Sequence, residues 1–143
     1  MRLTELFDMT VFEFEEFLSG YTLDDIKACG RLTRHNKHLA YIFKLHGFPS
    51  YRQRNGNVGW KVLKKINKYG IASITVGWPQ GRDDRIVLTF HGFIYQAAPY
   101  VSILLNITIN SDMSVVEIES DKYVHLNSTL DRNRTLADYC DGW

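Results

Sequence analysis

The apolar residues of the first 70 positions recur every three or four residues, which is the spacing of amphipathic helices. Thr10 and Glu13 have the spacing of a capping box, so a first helix is predicted to begin there. A second is predicted from Thr22 to about Gly30, and a third over residues 34–46. The third would bury a stripe formed by Leu39, Ile42, Phe43 and His46.

The fourth predicted helix, residues 58–69, carries the feature that points to a function. Its apolar side would be formed by Val58, Val62, Ile66 and Tyr69, with Gly70 after its end. Its other side would carry a stripe of lysines at helical spacing, formed by Lys61, Lys64, Lys65 and Lys68. Neighbouring like charges destabilise a helix by roughly 0.2–0.5 kcal/mol per pair. A negatively charged ligand lying against the stripe would explain why this cost is tolerated.

After Gly70 the apolar period changes to two, which is typical of half-buried strands. Strands are predicted at 71–78, 85–94, 101–109, 115–119 and 123–126. The first two form a hairpin with a turn-rich tip. The pattern predicts an α+β fold in which three to four N-terminal helices precede an antiparallel sheet of four or five strands.

The 143 residues are predicted to form one domain, long enough to bury a core without a metal or disulfides. Residues 1–70 would be mainly helical and basic from 26, residues 71–126 would hold the strands, and 127–143 would form a polar tail. No apolar run is long enough for a membrane span, and the N-terminus lacks the pattern of a signal peptide. We therefore expect a cytoplasmic protein without a membrane partner.

The net charge of +1 conceals a strong segregation of charge along the chain. Residues 1–25 hold seven acids and one base, whereas residues 26–82 hold twelve bases and no acid. Residues 83–143 hold nine acids and four bases. A basic segment of this length attracts phosphates, so nucleic acid is the predicted partner. Two alternatives remain: the acidic N-terminus neutralises the basic segment internally, or the segment binds a charged protein.

The order of elements across residues 22–94 resembles a winged-helix domain, with residues 38–47 as the second helix and residues 58–70 as the recognition helix. Residues 81–89, Gly-Arg-Asp-Asp-Arg-Ile-Val-Leu-Thr, resemble the wing tip of MarR-type repressors. The resemblance implies DNA rather than RNA as the ligand, a lysine-bearing helix in the major groove, and Arg82 and Arg85 beside the minor groove or the backbone.

The predicted contact residues extend beyond the lysine stripe. Arg52 and Arg54 lie in a loop before the basic helix, and Trp60 lies off its apolar face, where it could stack on a base. The full predicted set is Lys61, Lys64, Lys65, Lys68, Arg52, Arg54, Arg82, Arg85 and Trp60. Most of these contacts would go to phosphates, which set affinity and salt dependence rather than sequence preference.

Catalytic chemistry is the weaker interpretation. His35 and His38 have useful spacing for a metal, but zinc needs three or four ligands. Asp83 and Asp84 at a turn, and the acids near Glu117, would suit a metal-dependent phosphodiesterase or nuclease, although turn chemistry explains the aspartates as well. The sequence favours a non-catalytic binder with no cofactor and no metal. A small viral or phage accessory protein that binds and inhibits a host protein is the other alternative.

Overall fold

The computed structural model of the chain describes residues 1–32, 37–50, 59–78, 81–93, 101–120 and 123–140. Within them, five helices precede the sheet: α1 Leu3–Phe7, α2 Val11–Leu18, α3 Leu23–Leu32, α4 Lys37–Ile42 and α5 Trp60–Asn67. The strands are β1 Ile71–Gly77, β2 Arg85–Phe93, β3 Val101–Asn110, β4 Val115–Ser120 and β5 Val124–Leu126. A last helix, α6, spans Leu136–Cys140. The predicted α+β class is confirmed.

The five strands form one antiparallel sheet in chain order, β1-β2-β3-β4-β5, so each strand pairs with the next. Alternation places Ile86, Leu88 and Phe90 of β2 on the buried face. Their partners across the ladder on β3 are Ile109, Ile107 and Leu105. These strands were predicted from the same alternation, and these six inward-facing residues agree with it.

The helices cover the apolar face of the sheet, and their starts follow from local hydrogen bonds. Thr10 and Glu13 form the predicted capping box, with the Glu13 N–H donating to the Thr10 hydroxyl at 3.1 Å. Thr22 and Asp25 make the same reciprocal pair at the start of α3. No helix within the described ranges is long and apolar enough to cross a membrane.

Helix α1 was not predicted, and it supplies part of the centre of the core. Leu3, Leu6 and Phe7 are fully buried. The ring of Phe7 packs 5.4 Å from Phe90 of β2 and 4.8 Å from Tyr69, centroid to centroid. A helix of five residues is too short for a periodic pattern to show, so packing against the sheet stabilises it rather than its own propensity.

The predicted helix over 34–46 is shorter in the structure. Helix α4 ends at Ile42, and Lys44 adopts a left-handed φ of 54°, which stops any continuation. Leu39 and Phe43 are buried as predicted, but His46 is exposed. His46 instead forms a parallel bridge with Arg2, next to α1. Residue 34, the predicted start of the helix, lies outside the described residues.

A bulge changes which residues of β3 face inward. Phe90 pairs with Leu105 but His91 pairs with Ile103, so Leu104 is an extra residue in β3. Beyond this point the alternation shifts, and Ile103 is 48% exposed although its position predicted burial. Leu104 packs against the core in its place.

Gly92 of β2 lies where this bulge meets the turn before β1. A Cβ at Gly92 would clash with the Gly70 carbonyl oxygen and lie 2.8 Å from Leu104 Cδ1. We expect Gly92→Ala to destabilise the fold by about 1–3 kcal/mol, because backbone must move to admit the methyl group. Gly77→Ala in β1 is the matched control, since a Cβ there meets nothing within 4 Å. Urea denaturation of both variants measures the difference, and equal stabilities would contradict the packing described.

His91, next to Gly92, makes stability depend on pH. Burial lowers the pKa of His91 below its usual 6.5, and its Nε2 lies 2.9 Å from Thr75 Oγ1. The unfolded chain therefore binds the proton more tightly, so the free energy of unfolding falls as pH drops through and below 6.5. We expect His91→Gln to flatten this part of the stability–pH profile. Denaturation midpoints from pH 7.5 downward test it, and an unchanged slope would contradict the assignment to His91.

Candidate nucleic-acid interface

Helix α5 is anchored by a residue other than those predicted to face inward. Leu63 is fully buried and packs on Ala72 of β1, whereas Val62 is 42% exposed. The prediction that Val62 faces inward is therefore wrong, whereas Ile66 is half-buried and Tyr69 packs against the core. The hydrophobic pattern of the helix did not distinguish Val62 from Leu63 as the inward-facing residue. Residue 58 lies outside the described part of the chain, and the helix begins at Trp60.

The four predicted lysines are all exposed on the protein surface. Lys61, Lys64 and Lys65 belong to α5, which ends at Asn67. The sequence predicted that the helix continues through Lys68, but Lys68 lies in the turn that follows α5. Its side chain extends over the Tyr69 ring, with Nζ 5.2 Å from the ring centroid. Lys64, Lys65 and Lys68 therefore lie at the C-terminal end of α5, and Lys61 lies in its first turn.

The turn at Lys68 is held in an unfavourable conformation. Lys68 has φ 68° and ψ −37°, and the Tyr69 N–H donates to the Asn67 carbonyl oxygen at 2.6 Å across it. This is a γ-turn with positive φ, a rare and strained conformation for a residue with a side chain. Such strain persists only where the surrounding structure fixes the backbone.

The side chain of Asn67 fixes the backbone around Lys68. Asn67 is 3% exposed, and its amide nitrogen donates to the carbonyl oxygens of Gly47 and Ile71. Its amide oxygen accepts from the Ile71 N–H at 3.0 Å. One buried side chain thus ties the end of α5 to the start of β1 and to the segment that contains Gly47.

The N-terminal segment lies opposite α5. The Leu3 N–H donates to the His46 carbonyl oxygen at 2.7 Å, and the His46 N–H donates to the Met1 carbonyl oxygen at 2.9 Å. Between this segment and the end of α5 lies a pocket of about 330 Å³, lined by ten residues. Four of the ten are Arg or Lys and none is acidic: Arg2, Lys64, Lys65 and Lys68.

Sequence reasoning missed three members of this pocket. Arg2 is the lone base in an acidic segment, and His46 was assigned to a buried helical stripe. Asn67 had no distinguishing pattern in the sequence. Arg2 and His46 are brought to Asn67 at the end of α5 by contacts that span 20 residues or more, which local periodicity does not report.

The hairpin tip carries charges of both signs. Arg82 donates to Asp84 through Nε and Nη2, both at 3.2 Å, and this hydrogen bond lowers the pKa of Asp84 and raises that of Arg82. Arg85 has a buried Nε without a hydrogen-bond partner among the described residues. The tip and the pocket lie at opposite ends of β1, roughly 20 Å apart for seven residues of strand.

One of the twelve bases in residues 26–82 is buried. Lys27 is only 6% exposed, its Nζ donates to the Asp83 carbonyl oxygen, and it lies 5.5 Å from the centroid of the Trp78 ring. It joins α3 to the hairpin tip. Its role in the described structure is packing, and it removes one charge and one face of Trp78 from any ligand.

Other predicted residues fall outside what the structure describes. Arg52 and Arg54 lie in residues 51–58, which are not described, and the side chain of Trp60 is likewise outside the description. Among the described residues, no group of three or more His, Cys, Asp or Glu side chains could hold a metal. Asp84, half of the candidate carboxylate pair, is engaged by Arg82.

Four of the seven acids in residues 1–25 have hydrogen-bond partners of their own. Glu13 and Asp25 complete helix caps, Glu15 accepts from Arg132 Nε at 3.1 Å, and Asp8 accepts from the Tyr69 hydroxyl. Of the ion pairs within the described ranges, none joins Lys61, Lys65 or Lys68 to an acid. The basic end of α5 therefore keeps most of its positive charge.

No protein-family model, curated protein or solved structure matches this chain. The case for a function rests on the geometry and charge of the described residues.

Because the backbone at Lys68 is strained, a glycine substitution there should affect stability differently from one at a lysine inside α5. Glycine adopts positive φ without the steric cost of a side chain, whereas glycine inside a helix costs about 1 kcal/mol. We expect Lys68→Gly to leave the free energy of unfolding unchanged or higher, and the matched Lys65→Gly to lower it by about 1 kcal/mol. Chemical denaturation measures both. A Lys68→Gly loss as large as that of Lys65→Gly would contradict the strained turn.

Proposed function

We propose that this protein is a non-catalytic nucleic-acid-binding domain whose main contacts come from the basic end of α5. The observation that carries the proposal is the pocket wall formed by Lys64, Lys65 and Lys68 facing Arg2, with no acid among the lining residues. Positive charge gathered in a concave site focuses the electrostatic field and attracts phosphates. Lys61, one helical turn earlier and exposed, extends the basic surface along the helix.

The hairpin tip is a secondary contact in this proposal. Arg82 can exchange its bond to Asp84 for a phosphate, since both side chains are about half exposed and such pairs contribute little stability. Strand β1 separates the tip from the pocket and is roughly 20 Å long, a length that corresponds to about six base pairs of duplex at 3.4 Å each. A bound duplex could therefore reach both, whereas a single nucleotide could not.

The ligand class follows from the kind of contact. Lysines on a helix surface contact phosphates as point charges and carry little sequence information. Binding should therefore depend steeply on salt and weakly on sequence. The resemblance of residues 22–94 to a winged-helix domain favours DNA over RNA, and this preference is part of the proposal.

Fluorescence anisotropy with labelled single- and double-stranded DNA and RNA of equal length tests the proposal directly. For about four phosphate contacts on duplex DNA, the slope of log affinity against log salt is expected to be roughly −3.6. Duplex DNA should bind at least as tightly as RNA. Absence of binding to every oligonucleotide at low salt would overturn the proposed function.

A matched pair of variants tests the assigned surface. Lys65→Gln removes one phosphate contact, so affinity should fall roughly five- to tenfold near 0.1 M salt for all sequences, and the salt slope should shrink by about one. Arg134→Gln is the control, because Arg134 is exposed on the C-terminal segment and pairs with Asp131. It removes the same charge away from α5. Equal losses for the two variants would show that net charge, not this surface, controls binding.

A further inference from the structure

The pocket beside α5 is a cavity rather than a ridge, and this distinguishes it from the rest of the basic surface. Its volume of about 330 Å³ lies at the lower end of the range of roughly 300–1,000 Å³ for small-molecule sites. A phosphate in the middle of a duplex is contacted on an open surface. A cavity of this size suits a phosphate group together with the sugar that carries it.

The charge of the pocket favours one kind of phosphate. A phosphate within a strand is a diester with a single negative charge, whereas a terminal phosphate is a monoester with about −1.5 to −2 at pH 7. Four of the residues that line the pocket are cationic and none is acidic. The electrostatic attraction is therefore larger for the monoester, and His46 is a further polar residue of the lining.

We infer that this pocket binds a phosphate monoester: the terminal phosphate of a nucleic-acid strand, or the phosphate of a free mononucleotide. In its strand-end form the inference rests on the proposed function and makes it more specific. Arg2 contacts the phosphate from one wall, and Lys64, Lys65 and Lys68 contact it from the other. Arg2 can present two parallel N–H donors to the phosphate oxygens, which a lysine cannot.

The walls of the pocket are fixed before any ligand arrives. Asn67 bonds to Gly47 on one side and to Ile71 on the other, which holds the turn at Lys68 in its strained conformation. Because this turn is already ordered, binding pays less conformational entropy at Lys68 than a flexible loop would require. Strain kept in place beside a pocket is typical of functional sites.

Lys61, the remaining lysine of α5, indicates the direction in which a bound nucleic-acid strand would leave the pocket. Lys61 does not line the pocket and lies one turn upstream of Lys65 on the same helix. Side chains at this spacing are neighbours about 5–6 Å apart. A strand whose end is seated in the pocket would run past Lys65 toward Lys61, so Lys61 contacts an internal phosphate. The two kinds of contact can therefore be separated by mutation.

The test compares oligonucleotides of one sequence that differ only at their ends: a free hydroxyl at both, a 5′-phosphate, or a 3′-phosphate. Anisotropy should show that at least one terminal phosphate raises the affinity about tenfold, a factor that corresponds to roughly 1.4 kcal/mol. A nucleoside monophosphate should compete for the pocket, and inorganic phosphate should compete more weakly because it lacks the sugar.

Two variants make the test specific to the pocket. Arg2→Gln should bring the ratio of phosphorylated to unphosphorylated affinity close to one. Lys61→Gln should weaken both oligonucleotides by a similar factor and leave the ratio unchanged. Both side chains are exposed, and circular dichroism with thermal unfolding verifies that each variant is folded. A ratio reduced equally by both variants would overturn the assignment of the terminal phosphate to the pocket.

The outcomes separate the inference from the proposed function. If all oligonucleotides bind equally well whatever their ends, the inference fails and the proposed function stands. If the mononucleotide binds in a manner that depends on Arg2 but no oligonucleotide binds, the pocket is supported as a nucleotide site and the proposed function fails. If nothing binds, both are overturned.

Discussion

The side-chain amide of Asn67 holds together the part of the molecule on which the proposed function depends. Its three hydrogen bonds join the end of α5, the Gly47 segment and the first residue of β1, all in a buried environment. A buried amide is tolerated only when its donors and acceptor are satisfied, so each of the three segments is fixed in turn. Through Gly47 and its neighbour His46, the same network reaches the N-terminal segment and Arg2. The positions of the basic residues around the pocket therefore depend on one buried polar side chain.

The charges that are segregated along the sequence stay segregated in the folded structure, because several acids of residues 1–25 form hydrogen bonds away from α5. Capping places Glu13 and Asp25 at helix starts, where the helix dipole favours them. Glu15 is drawn to the other end of the chain, where it accepts from Arg132 and from the Val115 N–H. These contacts are local or directed away from α5. The acidic N-terminus therefore does not need to neutralise the basic helix in order to fold, although Asp8 does approach it through Tyr69.

The sequence predicted those features that depend on local physics. The capping box at Thr10, the alternation through Ile86, Leu88 and Phe90, and the exposure of the lysines all follow from neighbours within a few residues. It failed where contacts between distant residues decide the outcome. Helix α1 is too short to show periodicity, and the phase of α5 is set by the meeting of Leu63 with Ala72. The extra residue Leu104 reverses the alternation of β3, and no local signal marks it. The pocket combines residues 2, 46 and 64–68, so it exists only after the chain has folded.

If the pocket binds a phosphate as proposed, this assembly couples ligand binding to stability. In the folded chain, repulsion between like charges and the positive φ at Lys68 both oppose the conformation that forms the pocket. The unfolded chain separates Arg2 from Lys64 by more than sixty residues, so it has neither the repulsion nor a site. A dianion seated between the two walls removes the repulsion and binds only the folded state, which raises the free energy of unfolding in proportion to the logarithm of its concentration. The same residues thus make the free protein less stable than it could be and make its complex more stable, a trade-off that is expected where a site is selected for binding rather than for folding.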